Sequence, residues 1–363
     1  MRRASRRRAA LGDSDEPDAA PARRGAKPPS RWRRRGIIVD VVLTALGRYQ
    51  VDQLLARGGM GEVYLGRVVG AHGFARPVVI KVIRTELVES ERVALMFVDE
   101  ARIAAGLHHR NIVQIIDFDL FDGGAFLVSE YLPGCDLRTL LHHLRAAPRF
   151  EIAVAILAEL ATGLDAAHDA CDSAGAPLNL VHRDVSPSNV LLGIHGEVKV
   201  ADFGIAKARS RSYHTVSGSI KGKAPYMAPE QILGEPIDRR ADVFSLGVLL
   251  FELTTRTRLY SAHANKIAMK HILDGHLPDP ADRRPDYPVA LTAIVRRALA
   301  RRPDDRYPTA RAFADDLDGV ARDQRWNLSR AGVADLVKLV RQRAQLATTT
   351  PAWPPPRREE VGT

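Results

Sequence analysis

The stretch Val181–Gly204, VHRDVSPSNVLLGIHGEVKVADFG, constrains this chain more than any other. Its apolar positions follow a strand–turn–strand pattern, interrupted by three polar side chains, Asp184, Asn189 and Asp202. A carboxylate, a carboxamide and a second carboxylate at these spacings suit one chemistry well. Asn189 and Asp202 can hold Mg²⁺ on the phosphates of a nucleotide, because this hard cation takes a few protein oxygens together with phosphate oxygens. Asp184 can then orient a hydroxyl for in-line attack. Three polar loop residues that merely cap turns are the bland alternative.

The rest of the chain allows such a site. At 363 residues it holds about two domain-equivalents, enough to bury a full core. The 45% apolar and 26% charged fractions are those of an ordinary soluble globular protein. No apolar run reaches the roughly 18 residues of a membrane span; Ile37–Leu46 is too short and carries Asp40. The basic N-terminus lacks the apolar core and cleavage site of a secretory signal. Cys135 and Cys171 make no disulfide framework and fit a reducing cytoplasm. Of the net charge of +10, residues 1–46 supply +7, from twelve Arg or Lys against five Asp or Glu. Apart from Trp32 no aromatic interleaves that charge, so a solvated, disordered arm is expected in place of a specific nucleic-acid binder. Arg2-Arg3-Ala4-Ser5 within it has the pattern of a basophilic phosphorylation site.

From Gly47 the pattern turns to strands: Tyr49–Leu55 and Val63–Leu65, with Ala56-Arg57-Gly58-Gly59-Met60-Gly61-Glu62 between them. Glycines there permit a hairpin whose backbone amides approach phosphates unobstructed. Pro77–Ile83 is a third strand, carrying Val79 and Lys81. Glu91–Leu107 has helical periodicity and includes Glu100. Ile112–Phe118 and Ala125–Tyr131 read as a hairpin across Asp122-Gly123-Gly124. Leu137–Leu144 is a short helix, and Phe150–His168 a longer one, apolar on most faces and so expected to be central. Adjacent pairs His108-His109 and His142-His143 point different ways and find no third ligand at a suitable spacing, so no structural metal is expected there.

Taken together and in order, these motifs resemble the protein kinase family, in which HRD, Asn and DFG recur in this sequence. The resemblance covers about Arg48 to Val320 and implies an α+β, two-lobed fold: a small β-rich lobe with one key helix, about 47–131, and a larger, mainly helical lobe, about 132–320. The implied activity is that of a bacterial serine/threonine protein kinase using ATP and Mg²⁺, with Mn²⁺ as an alternative metal. It implies that Lys81, fixed by Glu100, meets the α- and β-phosphates, that Asp184 handles the substrate hydroxyl, and that Asn189 and Asp202 hold the metal. The nucleotide would lie among Leu55, Ala56, Arg57, Gly58, Gly59, Met60, Gly61, Val63 and Val79. Ser129 falls at the gatekeeper position, Glu130 and Leu132 in the hinge, Asp136 at the ribose and Leu191 beneath the adenine. Cys135, beside Asp136, is read as a shielded, unreactive thiol. Protein substrates with Ser or Thr acceptors are the implied partners, and cytoplasm the implied location.

The chain departs from the family pattern in places. Ala56 stands for the first glycine of the phosphate-covering loop, and Ser186 for the usual lysine two residues after the catalytic Asp. A serine brings no charge, although it can hydrogen-bond a phosphate oxygen. Gly222-Lys223 replaces the usual Gly-Thr, and Lys223 is expected to restore part of the missing charge. These departures keep a second reading open, a nucleotide-binding pseudokinase acting as a scaffold. The polar segment between Asp202-Phe203-Gly204 and Ala228-Pro229-Glu230 reads as an activation loop. Thr215, Ser217 and Ser219 are its candidate phosphoacceptors, for this chain itself or another kinase, with Arg183 as the phosphate's partner. Asp242 is expected to bond back to the catalytic loop, and Arg306 to pair with Glu230. Residues 321–346 form a helical extension, capped by Ser329, whose Val333, Leu336, Val337 and Val340 pack on the large lobe; 347–363 is a Pro-rich disordered tail.

Overall fold

Strand alternation separates two faces of one antiparallel sheet. Its strands are β1 (Ala45–Leu46), β2 (Tyr49–Gly58), β3 (Gly61–Val69), β4 (Ala75–Ile83), β5 (Ile115–Phe121) and β6 (Gly124–Glu130), in the order β1-β2-β3-β4-β6-β5. In β4, Val78 and Ile80 are fully buried and join Leu46, Tyr49, Phe126 and Val128 in one apolar cluster. Val79 and Lys81 must then point to the other face, because successive side chains alternate. The computed structural model describes residues 45–58, 61–83, 101–121, 124–203, 224–260 and 265–344, all within the unit Leu43–Thr363.

Two boundaries differ from the sequence reading. Ala45 and Leu46, read as the end of the tail, instead pair with Gln50 and Tyr49. Leu46 is buried with Tyr49, and an apolar side chain with that partner gains more from the sheet than from solvent. The ladder between β2 and β3 also runs further than expected, through Ala56–Val63, Arg57–Glu62 and Gly58–Gly61 pairs, with an ion pair of 2.9 Å between Arg57 and Glu62. Gly61 has φ 151° and a Cβ there would lie 1.8 Å from the Val82 carbonyl oxygen, so only glycine closes this end of the hairpin. Of the helix read over Glu91–Leu107, residues 101–105 are helical, with Ala101 and Ala104 buried; Glu100 lies outside the described residues.

A second, three-stranded sheet, β7 (Gly134–Asp136), β8 (Val190–Gly193) and β9 (Val198–Val200), begins the helical lobe. Around it stand α1 (Leu137–His143), α2 (Phe150–His168), α3 (Pro229–Leu233), α4 (Arg240–Thr255), α5 (Asn265–Leu273), α6 (Val289–Ala298), α7 (Ala310–Asp323) and α8 (Arg330–Arg343). Helices α2 and α4 touch each other and are buried nearly all round, as apolar helices on every face must be. Ile156, Leu157, Leu160 and Leu164 are each fully buried, worth about 1.5–3 kcal/mol apiece.

Polar groups fix the ends. The Thr309 hydroxyl caps α7 by accepting the Ala312 N–H at 3.0 Å, and Ser329 caps α8 through the Gly332 N–H at 3.4 Å. Arg306 meets Glu230 with two parallel bonds of 2.7 and 2.8 Å, both side chains buried, which welds the loop before α7 to α3. Helix α8 buries Val333, Val337 and Val340 against α1, α2, β7 and β8. Its first residue touches the turn between β8 and β9: a Cβ on Gly196, at φ 84°, would lie 2.0 Å from the Arg330 carbonyl oxygen. Among the described residues no helix is long and apolar enough to cross a membrane.

Candidate active site

The face of the large sheet opposite the apolar cluster carries the polar work. Register pairs Lys81 with Val63 and Leu127, and Val79 with Leu65 and Ser129. Paired residues point the same way, so Val63, Val79, Lys81 and Ser129 share one face, joined by Ala56 as the partner of Val63. Leu55 sits where the β2 ladder slips by one residue and is half exposed. Gly58 and Gly61 close the hairpin; Gly59 and Met60, between them, lie outside the described residues.

Below the sheet, β6 ends at Glu130 and the chain passes through Leu132 to β7. Glu130 is held from two sides: its carboxylate takes Lys199 Nζ at 2.7 Å and the Gln114 N–H at 2.8 Å, and its own N–H donates to the Gln114 carbonyl at 3.0 Å. Lys199 sits on β9, so this pair ties the hinge to the second sheet. Asp136 and Leu191 are ladder partners there and share a face. Asp136 also caps α1, Oδ1 accepting the Thr139 N–H at 2.7 Å, which fixes the carboxylate in place. Burial pushes the Cys135 thiol up to about 12, as a shielded cysteine requires.

The loop Val181–Asn189 is built around buried hydrogen bonds. The Asp242 carboxylate, at the start of α4, accepts the N–H groups of His182 and Arg183, each at 2.8 Å, and His168 Nε2 at 2.8 Å. Arg183 takes the left-handed conformation, φ 63°, as does Asp202, φ 57°. Such backbone outliers persist where surrounding bonds over-determine them. His182 supplies one such constraint. Its Nδ1 accepts the Asp184 N–H at 3.3 Å, Nε2 lies 3.0 Å from the Ala201 carbonyl, and its ring packs 4.7 Å from that of Phe203. It therefore bridges the segment of Asp184 to the segment of Asp202. Asn189 adds a second bridge, its Nδ2 donating to the Asp184 carbonyl at 2.8 Å and its own carbonyl accepting the Ala201 N–H at 2.8 Å.

Lys81 Nζ reaches across from the sheet to Asp202 Oδ1, 2.9 Å away, so the strand lysine and the loop carboxylate meet in one cleft. The donor set fits a hard cation on phosphates: Asp202 is exposed, and the Asn189 carboxamide, tethered through its nitrogen, keeps its oxygen for a ligand. Ser186 stands two residues after Asp184. It is buried, and its hydroxyl lies 3.1 Å from that of Ser188, because the turn Pro187–Asn189 folds it inward. Lys223, Thr215, Ser217 and Ser219 lie outside the described residues. Two features escaped the sequence reading. Lys199 reads as an ordinary exposed strand lysine, and His168 as one more position on an apolar helix; the visible signal was only that each is a lone polar residue in an apolar run.

Comparison with known proteins agrees with this geometry. The chain is 46% identical over 283 residues to the tyrosine-protein kinase MasK of Myxococcus xanthus, covering 76% of this chain and 43% of that protein. It is 34% identical over 276 residues to the serine/threonine-protein kinase PknB of Mycobacterium leprae, 74% of this chain and 42% of that protein. It thus spans about two fifths of the length of the curated relatives it matches. The crystal structure of the Mycobacterium tuberculosis PknI kinase domain superposes with a TM-score of 0.59 at 28% identity, covering 77% of this chain and 99% of that one. With residues 49–317 matching the protein kinase domain, the two-lobed fold and the cleft between Lys81 and Asp202 have a common explanation: this chain belongs to the protein kinase family.

Proposed function

We propose that this chain transfers the γ-phosphoryl group of Mg·ATP to side-chain hydroxyls of proteins, with serine and threonine as acceptors. The meeting of Lys81 and Asp202 at 2.9 Å carries the reading, since it sets a phosphate-seeking cation and a metal-seeking carboxylate on one spot. Lys81 orients the α- and β-phosphates, and Glu130 and Leu132 offer backbone groups to the adenine. Asp136 reaches the ribose. Leu55, Ala56, Val63, Val79, Ser129 and Leu191 enclose the base and the phosphates. Asn189 and Asp202 would hold Mg²⁺, which when bound offsets phosphate charge. Asp184 positions the acceptor hydroxyl and takes its proton as the oxygen attacks phosphorus and the bond to the ADP oxygen breaks. Positioning and charge stabilisation account for most of the acceleration in such a reaction. Phosphorylation of Thr215, Ser217 or Ser219 would order the loop through Arg183. Cytoplasm is the proposed location.

Tyrosine is the second acceptor considered. Ser186 removes the lysine that marks Ser/Thr enzymes, and MasK, at 46% identity, is named a tyrosine kinase. Incubation of the protein with Mg²⁺ and ATP, followed by mass spectrometry, tests both. Phosphate on Ser or Thr, absent in Asp184→Asn, supports the proposal, and phosphate on Tyr alone replaces it with the second reading. Nucleotide binding without transfer, on itself or on added protein, would leave the scaffold reading in place.

A further inference from the structure

A cavity of about 610 Å³ lies on the helical lobe, apart from the nucleotide cleft. Arg138, His142 and His143 of α1 line one side; Glu252 at the end of α4, with Arg256 and Arg258 after it, lines the other. Three guanidiniums against one carboxylate among the lining residues make the recess basic. The single carboxylate is outnumbered: Glu252 Oε2 accepts the Tyr226 hydroxyl at 2.8 Å and Arg258 Nη1 at 3.4 Å, Oε1 accepts the Leu259 N–H at 3.3 Å, and its one negative charge offsets Arg258 and not Arg138 or Arg256.

The arginines are fixed yet incompletely used. Arg256 Nε bonds to the Leu144 carbonyl, Arg258 Nη1 to Tyr226 Oη, and Arg138 Nη2 stands 3.5 Å from Asp136 Oδ2. These bonds occupy one nitrogen of each guanidinium, leaving the remaining N–H donors of the fork for an oxyanion. Arg256 holds the left-handed conformation, φ 55°, where glycine would be unstrained. A charged side chain kept at such a position points to a use for that side chain.

Each end of the cavity adjoins a residue beside a motif of the proposed site. Arg138 touches Asp136, the ladder partner of Leu191. Arg258 touches Tyr226, whose carbonyl accepts the Ser245 hydroxyl at 2.8 Å just before Ala228-Pro229-Glu230. We propose that this cavity seats an acidic or phosphorylated residue flanking the acceptor in a protein substrate. The proposal rests on the protein kinase reading and narrows its substrate class. The only rings among the lining residues are the imidazoles of His142 and His143, with no Phe, Tyr or Trp, so the recess offers little of the broad stacking platform that single-stranded nucleic acid uses.

The test is direct binding to the full chain, read by fluorescence anisotropy and independent of turnover. Four fluorescein-labelled peptides differ only in carrying Asp, phosphoserine, Ala or Arg on one side of the acceptor serine. The Asp and phosphoserine peptides should bind at least about tenfold more tightly than the Ala peptide. Their order identifies whether an acidic side chain or a prior phosphate is the natural occupant. Arg138→Glu should remove the preference and leave affinity for the Ala peptide unchanged. Thr257→Glu, which adds a carboxylate to the cavity wall and disturbs none of the bonds above, should do the same and keeps the test open if Arg138→Glu fails to fold. Equal binding of all four peptides, a preference for Arg, a preference that survives both variants, or displacement of the acidic peptides by an oligonucleotide would each overturn the proposal. Phosphorylation of the Ala peptide is read separately: its absence alongside selective acidic binding sinks the kinase reading and not the cavity.

Discussion

His168 Nε2 and Asp242 Oδ2 stand 2.8 Å apart, with both side chains closed off from solvent. The same carboxylate receives the N–H groups of His182 and Arg183, so one buried acid holds α2, α4 and the loop Val181–Asn189 together. Replacing Asp242 with Ala leaves three donors unpaired and should cost about 3–5 kcal/mol, measured by urea unfolding. Burial alone would push this carboxyl up, but His168 and the backbone donors hold it below its ordinary value of 3.8. Its folded value is thus the lower one. The stabilisation is fully present above 3.8 and lost as pH falls through the folded value, and Asp242→Asn should show a shallower loss of stability in acid than the wild type.

Lys81→Met removes the cation from the cleft while preserving most of the side-chain volume. Turnover should fall by about 100-fold or more, the usual cost of deleting one electrostatic stabiliser of a transition state. Thermal unfolding should change little, because the lysine stands on the cleft face and not in the apolar cluster. A steady-state assay beside a melting curve checks both halves.

Lys199→Met should weaken the hinge and not the chemistry. The Glu130 carboxylate would lose its 2.7 Å cation and keep only the Gln114 N–H. The expected signature is a KM for ATP raised about 5–30-fold at nearly unchanged kcat, since a partly buried charge-assisted bond is worth about 1–2 kcal/mol.

Alkylation should discriminate sharply between the cysteines. Cys135 is partly buried with its thiol pushed up to about 12, whereas Cys171 is exposed. Brief iodoacetamide treatment followed by peptide mapping should find Cys171 modified and Cys135 intact, and denaturant should equalise them.

Legibility in the sequence followed the range of the interaction. The burial of α2 could be read because Ile156, Leu157, Leu160 and Leu164 announce it at helical spacing. The pairing of Arg306 with Glu230 and of Asp242 with the loop followed from motif order alone. The burial of Ser186 beside Ser188 could not be read, because sequence gives a residue's type but not which way a turn faces it. Leu46 was assigned to the tail because two residues of strand carry no periodicity. The contact of Arg258 with Tyr226 and Glu252 spans elements that only tertiary structure brings side by side. A hint did exist: Glu252 is an acid set in the apolar run that follows Ser245 in α4, and burial pushes its carboxyl up to about 7.

The near contact between Gly196 and Arg330 has a practical corollary. Helix α8 leans on the same two strands that carry Asp136 and Leu191, and Arg341 reaches back to the Gly134 carbonyl at 3.5 Å. Nucleotide binding at the proposed site should therefore be felt at α8, because the helix rests on the strands that carry two of its proposed residues. A fluorophore placed on the exposed side of α8 should then serve as a remote gauge, and unchanged emission on adding ATP would show that the helix is not coupled to the cleft.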